Sequence, residues 1–354
     1  MKAALWYNKK DIRVENVDEP VPGKGEVKIK VAACGICGTD LHEYVSGPHV
    51  IYVDRTHYLT GDKAPVIMGH EFAGDIVEIG PEVTGWKVGD RVTVLPLLSC
   101  GKCFYCRRGL NHLCQYFGGT GLQWHWGGFA EYCLAKDYQL NKLPNDISYE
   151  VGSVIEPVAL AFYAIERGEI KLGDVVFIAG GGPTAVLTLM GAKLAGTSAV
   201  YMSEVAEGRL KRLKDFGATE VFNPAGCDVV AEILRRTDGI GADVTIDCTG
   251  VDSAISDCLN IIRKRGTHIQ SGLSVKDVSI NTFKLAFKDV TFRGIWCYNY
   301  YDFPKIIKLL QNKSLNLNRF ITKRIKIEDI VREGFETLTA DNSGKELKIL
   351  VIFN

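Results

Sequence analysis

The stretch Asp174-Val-Val-Phe-Ile-Ala-Gly180-Gly-Gly-Pro-Thr-Ala185 decides how this chain folds. It begins with a short apolar run, which is typical of a buried parallel strand. Its glycines then lead into an apolar periodic segment at residues 186–195, which predicts a helix. A second strand is predicted to end at Glu204. A strand, a glycine-rich turn, a helix and a strand that ends in an acidic residue form a dinucleotide-binding fingerprint.

Six residues around this turn are candidate cofactor ligands: Gly180, Gly182, Pro183, Thr184, Glu204 and Arg209. The glycines would let backbone amides approach a pyrophosphate at the N-terminus of the predicted helix. Glu204 stands near the spacing at which an acidic side chain binds the ribose hydroxyls, and its charge would repel a 2′-phosphate. NAD is therefore favoured over NADP, although Arg209 leaves the choice open because a nearby arginine can accept that phosphate.

The same alternation of strands and helices continues beyond Glu204. Helices are predicted at residues 207–216, 229–236 and 253–262, and strands at 220–223, 243–248, 267–271 and 291–296. Repeated βα units of this kind imply an α/β fold with a doubly wound parallel sheet.

Composition and charge exclude several classes of protein. The chain has 354 residues, which predicts two domains. Lys+Arg and Asp+Glu are 42 each, so there is no basic excess for nucleic acid or a membrane surface to attract. The first residues become charged by Lys9 without an apolar signal region. We therefore expect a cytoplasmic protein with a small-molecule substrate, bound to neither nucleic acid nor membrane.

Four of the eleven cysteines are concentrated in one short segment, at Cys100, Cys103, Cys106 and Cys114. Short C-x2-C steps let neighbouring thiolates point at one centre, and four thiolates satisfy tetrahedral Zn²⁺. An iron–sulfur cluster also uses four cysteines, but the Cys-Pro ending of the bacterial ferredoxin pattern is missing. The spacing predicts a structural zinc site.

Three further motifs contain residues that can bind metal. They are Cys34-Gly-Ile-Cys37-Gly-Thr39-Asp40-Leu-His42, Gly69-His70-Glu71-Phe72 and Ile155-Glu156-Pro157. Each is weak evidence alone, because single histidines and glutamates usually have structural roles.

In their common order, these motifs, the four cysteines and the glycine turn resemble the medium-chain zinc-dependent alcohol/polyol dehydrogenases. The resemblance covers essentially the whole chain and is closest to the butanediol dehydrogenases, then the sorbitol dehydrogenases. It implies a GroES-like, β-rich catalytic domain at residues 1–155 and 297–354, with the zinc lobe at about 96–116. It also implies a Rossmann NAD-binding domain at residues 156–296.

The resemblance also implies a catalytic zinc surrounded by Cys37, His70, Glu71 and Glu156. Catalytic zinc keeps three protein ligands and one open position. A thiolate and two carboxylates would leave the site anionic and make the metal a poorer Lewis acid. We therefore expect one glutamate to bind directly and the other through water, or the two to exchange as substrate arrives.

Three residues near Cys37 are further candidates for a role at this site: Thr39, Asp40 and His42. The resemblance implies a proton path from the substrate through Thr39, the cofactor ribose and His42. Thr39 is also a candidate cap of the following helix. Asp40 either accepts a hydrogen bond from the His70 ring or caps that helix.

The expected function is hydride transfer between NAD(H) and a vicinal diol or α-hydroxyketone, with 2,3-butanediol and acetoin as first candidates. Sorbitol-like polyols and L-threonine are the alternatives, and relatives imply a homodimer or homotetramer. A different class is a non-enzymatic nucleotide-binding protein that holds only the structural zinc. Two zinc ions per chain would favour the enzyme, and one would favour the alternative.

Overall fold

The computed structural model describes residues 1–274, 276–340 and 344–353. The chain divides into two compact units. The first contains Met1–Glu156 and most of the described chain from Tyr298 onward. The second contains Pro157–Cys297 and a short later segment that ends at Lys345.

The strands are Lys2–Asn8 (β1), Asp11–Asn16 (β2), Glu26–Gly35 (β3), Val66–Ile67 (β4), Glu71–Ile79 (β5), Arg91–Val94 (β6), Leu97–Leu98 (β7), Gly118–Gly119 (β8), Tyr132–Lys136 (β9), Leu140–Lys142 (β10), Val175–Ala179 (β11), Ala199–Ser203 (β12), Glu220–Phe222 (β13), Ala242–Asp247 (β14), Ile262–Gln270 (β15), Thr291–Gly294 (β16), Lys323–Ile325 (β17) and Ile349–Ile352 (β18).

The α-helices are Gly38–Ser46 (α1), Tyr149–Ser153 (α2), Ile155–Arg167 (α3), Pro183–Leu194 (α4), Glu207–Asp215 (α5), Val229–Arg236 (α6), Asp252–Ile261 (α7), Thr282–Lys288 (α8), Asp302–Gln311 (α9) and Thr337–Ala340 (α10). Among the described residues, no helix is both long and apolar enough to span a membrane.

In the first unit, β3 is the central strand. It pairs antiparallel with β5, β9 and β18, within a sheet of order β10-β6-β5-β3-β18-β17. Val27, Ile29 and Val31 of β3 are buried and alternate with more accessible residues, as expected for a strand with one face on a core. The pairing brings the ends of three distant segments together at Gly35.

The second unit is a six-stranded parallel sheet of order β13-β12-β11-β14-β15-β16. The strand order reverses direction between β11 and β14, and ligands of such sheets bind outside the carboxyl ends of the strands at that switch point. The sheet confirms the predicted α/β, doubly wound class. The glycine turn follows β11, so the fold places it at the switch point.

Two element boundaries differ from the sequence prediction by three residues or more, for identifiable reasons. Helix α4 begins at Pro183 rather than at residue 186, because proline is well suited to the first helical turn. Strand β15 begins at Ile262, ahead of the predicted start at residue 267. Its first half contains the run Arg263-Lys-Arg265, which has no apolar alternation to reveal a strand.

Candidate active site

Three of the four predicted ligands of the catalytic metal meet where β3 and β5 pair. Gly35 lies opposite Glu71 in the antiparallel register, and the chain then reaches Cys37 at the start of α1. A Cβ atom at Gly35 would lie 2.2 Å from Glu71 Oε2, so only glycine permits this approach. The donor atoms of Cys37, His70 and Glu71 all lie within 4.8 Å of one another. This sulfur, nitrogen and oxygen set fits a zinc ion with three protein ligands.

Asp40 contacts two of the site's residues. Its Oδ2 accepts a hydrogen bond of 2.9 Å from the backbone N–H of Cys37, which caps the start of α1. Its Oδ1 lies 3.4 Å from His70 Nδ1, and neither of these two buried atoms makes a hydrogen bond. Asp40 therefore caps α1, and its second carboxylate oxygen faces the His70 ring without a hydrogen bond, which leaves His70 Nε2 as the ring nitrogen available to a metal.

Glu71 is paired with a residue that sequence reasoning missed. Lys348 Nζ donates to both Glu71 oxygens, at 2.8 and 2.7 Å, and to the carbonyl of Ile36 at 2.9 Å. Both side chains are almost completely buried. Burial lowers the pKa of Lys348, but the charges of Glu71, Cys37 and Glu156 and the hydrogen bond to Glu71 together raise that pKa above its usual value, so the lysine keeps its charge. The pair neutralises a carboxylate that would otherwise be buried at great cost.

Glu156 lies beside this set but outside it. It is in the first turn of α3, and its Oε1 accepts a 2.6 Å hydrogen bond from the hydroxyl of Tyr298. Burial raises the pKa of Glu156 to about 7. The charge of His70 lowers that pKa in part, while the charge of Glu71 raises it. Glu156 therefore binds a proton at a higher pH than an exposed glutamate does.

Lys348 changes the charge balance expected at the metal site. Three anions are possible at the site, the Cys37 thiolate and the carboxylates of Glu71 and Glu156. A divalent ion and one lysine together supply three positive charges, which balances the site. With the charge of Lys348 included, the second carboxylate no longer leaves the site anionic. The expectation from the sequence, that two carboxylates make the metal a poorer Lewis acid, did not include this lysine.

The two proton-path candidates lie on α1. The hydroxyl of Thr39 is 3.8 Å from Cys37 Sγ, so it faces the donor set. His42 is one turn further along the same helix and is exposed. Thr39 is thus next to the donor set, and His42 lies on the exposed side of α1.

The four clustered cysteines form a second group whose donor atoms lie within 4.8 Å of one another. Cys103 Sγ is 3.5 Å from Cys106 Sγ and 4.0 Å from Cys114 Sγ. Two backbone amides, those of Cys100 and Tyr116, donate to Cys114 Sγ at 3.3 Å. Amide hydrogen bonds lower the pKa of Cys103 to about 6. The group fits a four-thiolate zinc site.

The glycine turn is shaped to hold an anion. Gly180 has φ 104, a conformation that favours glycine, and Gly182 precedes α4 with open space where a Cβ would stand. Pro183 and Thr184 open α4, and no side chain caps this end. The amides of the helix start are thus available to a phosphate.

Glu204 stands at the end of β12, beside that turn. Its Oε1 accepts hydrogen bonds from the backbone of Val205 and Ala206, at 2.7 and 2.9 Å. Its Oε2 is 3.6 Å from Arg209 and would be 2.7 Å from a Cβ at Gly181. The carboxylate is thus fixed against the turn, and Arg209 is already paired with it.

Sequence reasoning missed Lys348 and Tyr298. Lys348 has one weak signal, because it precedes the apolar run of β18 and lies in a strand-like segment. Its partner, Glu71, is 277 residues away, and nothing local indicates the contact. Tyr298 lies within residues 296–301, a stretch expected from the sequence to face the substrate, but its contact with Glu156 has no signal in the sequence.

Comparison with known proteins gives the same picture for both units. Family models match the alcohol dehydrogenase GroES-like domain at residues 23–145 and the zinc-binding dehydrogenase at residues 183–312. The chain is 39% identical to the (R,R)-butanediol dehydrogenase of Bacillus subtilis, with 99% of each chain covered. It is 38% identical to the L-threonine 3-dehydrogenase of Pyrococcus horikoshii, with 94% of each covered.

A solved structure agrees with these matches. The crystal structure of 2R,3R-butanediol dehydrogenase from Bacillus subtilis superposes with a TM-score of 0.93 at 38% identity, and covers 100% of this chain and 99% of that one. The matches confirm the resemblance drawn from the motifs, and they confirm the predicted GroES-like and Rossmann fold classes.

Proposed function

Because this chain belongs to the family of zinc-binding alcohol dehydrogenases, we propose that it transfers hydride between NAD(H) and a small vicinal diol or α-hydroxyketone. The first candidates are 2,3-butanediol and acetoin. The observation that carries the proposal is the mixed donor set of Cys37, His70 and Glu71. Three ligands of mixed chemistry are typical of catalytic zinc, whereas structural zinc is held by four.

Cys37, His70 and Glu71 would hold the catalytic ion, and Cys100, Cys103, Cys106 and Cys114 the structural one. When bound at the mixed site, zinc polarises the substrate oxygen as a Lewis acid and lowers the pKa of a hydroxyl. Lys348 donates to both Glu71 oxygens and so fixes the orientation of that carboxylate. Glu156 adds a partly buried carboxylate beside the donor set, where it acts directly or through water.

The proton of the substrate hydroxyl must leave the site. Thr39 is suited to pass it on, because a hydroxyl both donates and accepts a hydrogen bond. His42 is exposed and of a residue type that titrates near neutrality, so it suits the solvent end of the path.

The nucleotide site favours NAD. Gly180 and Gly182 leave room for a pyrophosphate, and Pro183 and Thr184 begin the helix that would face it. Glu204 is held by two backbone amides, so its charge remains beside the turn, where a 2′-phosphate would be repelled. Arg209 is engaged by Glu204, which supports the same preference.

A second candidate substrate is L-threonine, a β-hydroxy amino acid. The Pyrococcus horikoshii relative is almost as similar in identity as the butanediol dehydrogenase. Sorbitol-like polyols remain the third candidate, from the motif resemblance.

Steady-state kinetics would test the function. We expect NAD-linked oxidation of a 2,3-butanediol stereoisomer and reduction of acetoin, with kcat/KM higher than for sorbitol or threonine, and higher with NAD(H) than with NADP(H). Metal analysis should give two zinc ions per chain. One zinc ion per chain with no turnover of any substrate would instead support the non-enzymatic alternative.

We also propose a cytoplasmic location and a homodimer or homotetramer. The eleven cysteines are all free thiols, and the two metal sites need theirs reduced. A reducing compartment supports both requirements.

A further inference from the structure

A buried histidine fastens the loop of residues 48–64, which connects α1 to β4, to residues 114–123, here called the lobe segment. His57 lies in the middle of this loop and is 3% exposed. Its Nε2 is 2.9 Å from the carbonyl oxygen of Phe117, which can only accept, so this nitrogen carries the proton and donates it. Burial lowers the pKa of His57 more than that hydrogen bond raises it, so the ring is neutral near pH 7.

Three further contacts hold the 48–64 loop against the lobe segment. The rings of Tyr58 and Tyr116 are stacked, with their centroids 4.1 Å apart. The hydroxyl of Thr60 donates to the carbonyl of Gln123 at 2.5 Å, and Gln123 Nε2 donates to the carbonyl of Val50 at 2.9 Å. The loop is therefore held near its start, in its middle and near its end.

The lobe segment is tied to the four-cysteine group. The backbone N–H of Tyr116 donates to Cys114 Sγ at 3.3 Å, and the N–H of Phe117 donates to the carbonyl of Cys114 at 3.0 Å. Both residues that receive the loop thus make a hydrogen bond to one metal-binding cysteine. Zinc at this group would fix Cys114 to three other thiolates and so fix the surface on which the loop rests.

The start of the 48–64 loop supports the helix that follows Cys37. Glu43 of α1 is 0% exposed, and its Oε1 accepts the backbone N–H groups of His49 and Val50, at 3.0 and 2.6 Å. A buried carboxylate that loses such donors is costly. Because α1 has nine residues and begins directly after Cys37, a shift of Glu43 is passed along a rigid element to the catalytic donor set.

We propose that the 48–64 loop links the two metal sites, and that His57 is the positioning residue that locks the loop to the lobe segment. The proposal rests on the two zinc sites of the proposed function, but not on the identity of the substrate. When the loop is locked, it supports Glu43 and thereby the Cys37 end of α1. When it is released, both sites hold zinc less firmly, since coupling between two sites is reciprocal.

His57→Phe tests the lock, because it keeps a ring at this position and removes its hydrogen bond. Arg55 is exposed in the same loop, so trypsin reports the release of the loop by cleavage after Arg55. We expect this cleavage of the zinc-loaded protein to be about tenfold faster, as for the loss of roughly one hydrogen bond. Parental cleavage in His57→Phe would overturn the lock.

Release of zinc to a chromophoric chelator tests the link between the sites. We expect the ions of both sites to leave His57→Phe about threefold faster than the parent, a smaller effect than on the loop because the coupling is indirect. Faster cleavage after Arg55 together with parental zinc release would overturn the link.

His49→Phe is the matched control, because it makes the same substitution in the same loop. The His49 ring is exposed and lies 2.7 Å from Ser46 Oγ, and its backbone N–H to Glu43 is kept. The control should show parental cleavage and zinc release. Equal changes in the two variants would show a general loosening of the loop and would refute a particular role of His57.

His57→Gln should restore slow cleavage, because its side-chain amide can donate in place of Nε2. Rates equal to those of His57→Phe would refute a role of this hydrogen bond.

A variant on the other partner keeps the proposal testable if His57→Phe does not fold. A Cβ at Gly118 would lie 2.9 Å from His57 Cε1, so Gly118→Ala displaces the ring from the side of the lobe segment. Faster cleavage and zinc release are expected again, and parental rates would overturn the proposal. Failure of the parent to oxidise any diol would instead refute the proposed function, while cleavage and zinc release would still decide the link.

Discussion

Lys348 is the single side chain on which the charge balance of the metal site depends. It is buried, and three acceptors surround its ammonium group, two of them on Glu71. Its charge allows a thiolate and two carboxylates to surround one divalent ion. Most buried salt bridges add little net stability over an apolar pair, but removal of one partner leaves an uncompensated charge.

We predict that Lys348→Met destabilises the protein by about 3–5 kcal/mol, because Glu71 then remains buried without its cation. Urea unfolding of protein from which the zinc at Cys37, His70 and Glu71 has been removed would measure the loss, because no metal then compensates Glu71. Lys142→Met is the control, because Lys142 is mostly exposed and 3.9 Å from Asp90, and its loss should matter little. Equal midpoints for the two variants would contradict the assigned role of Lys348.

Thr39 carries the second prediction at this scale. Thr39→Val keeps the shape of the side chain but removes the hydroxyl that faces Cys37. We expect kcat to fall about 100-fold, within the usual range for lost proton transfer, with zinc content unchanged. Thr39→Ser should restore most of the rate. Undiminished turnover in Thr39→Val would refute a proton path through this residue.

The sequence motifs predicted the site residues that lie close together in the chain, but not those that are distant in sequence. His70 and Glu71 are adjacent in the chain, and Cys37 and Thr39 share one turn, so local spacing was informative. Lys348 contacts Glu71 across 277 residues, and Tyr298 contacts Glu156 across 142. The contact of Lys348 depends on how β3, β5 and β18 pair, and neither contact can be read from a single sequence.

At the scale of elements, the turn between β11 and α4 was predicted well. Helix α6 has the predicted bounds, Val229–Arg236, because one face of it is strongly apolar and Asp228 caps its start. Strand β15 was predicted too short, since its first half is charged and exposed. The bounds of elements with clear apolar periodicity were therefore predicted correctly. The bounds of strands that depend on pairing with their neighbours in the sheet were not.

The close approach of Gly181 to Glu204 in the glycine turn leads to a prediction about cofactor binding. A Cβ at Gly181 would lie 2.7 Å from Glu204 Oε2, so Gly181→Ala must displace the carboxylate. We expect the Kd for NAD to rise about tenfold, the loss of roughly one hydrogen bond to a charged group. Gly226→Ala is the control, because its Cβ would meet nothing closer than 3.7 Å.

Titration of each variant with NAD, followed by tryptophan fluorescence or calorimetry, would measure the change. A Kd for Gly181→Ala equal to that of the control would show that Glu204 does not contribute to ribose binding.

For the molecule as a whole, the two proposed metal sites should differ in how firmly they hold zinc. One offers four thiolates, and the other a thiolate, an imidazole and a carboxylate. Thiolates bind zinc more strongly than the harder carboxylate does. We predict that a chelator first removes the zinc ion at Cys37, His70 and Glu71, and that this loss abolishes activity without unfolding the protein.

Zinc release, activity and circular dichroism followed together during chelation would check this order. Readdition of zinc should restore activity to protein that has lost only the first ion. Simultaneous release of both ions, or unfolding with the first, would count against the assignment of the two sites.

The long separation between Glu71 and its lysine has a consequence for biosynthesis. When Glu71 is added to the growing chain, the lysine that balances its charge still lies 277 residues ahead in the sequence. A nascent chain that captured zinc at that stage would do so with a different charge balance from the finished enzyme. The charge balance of the finished site is therefore reached only after Lys348 has been translated and has paired with Glu71.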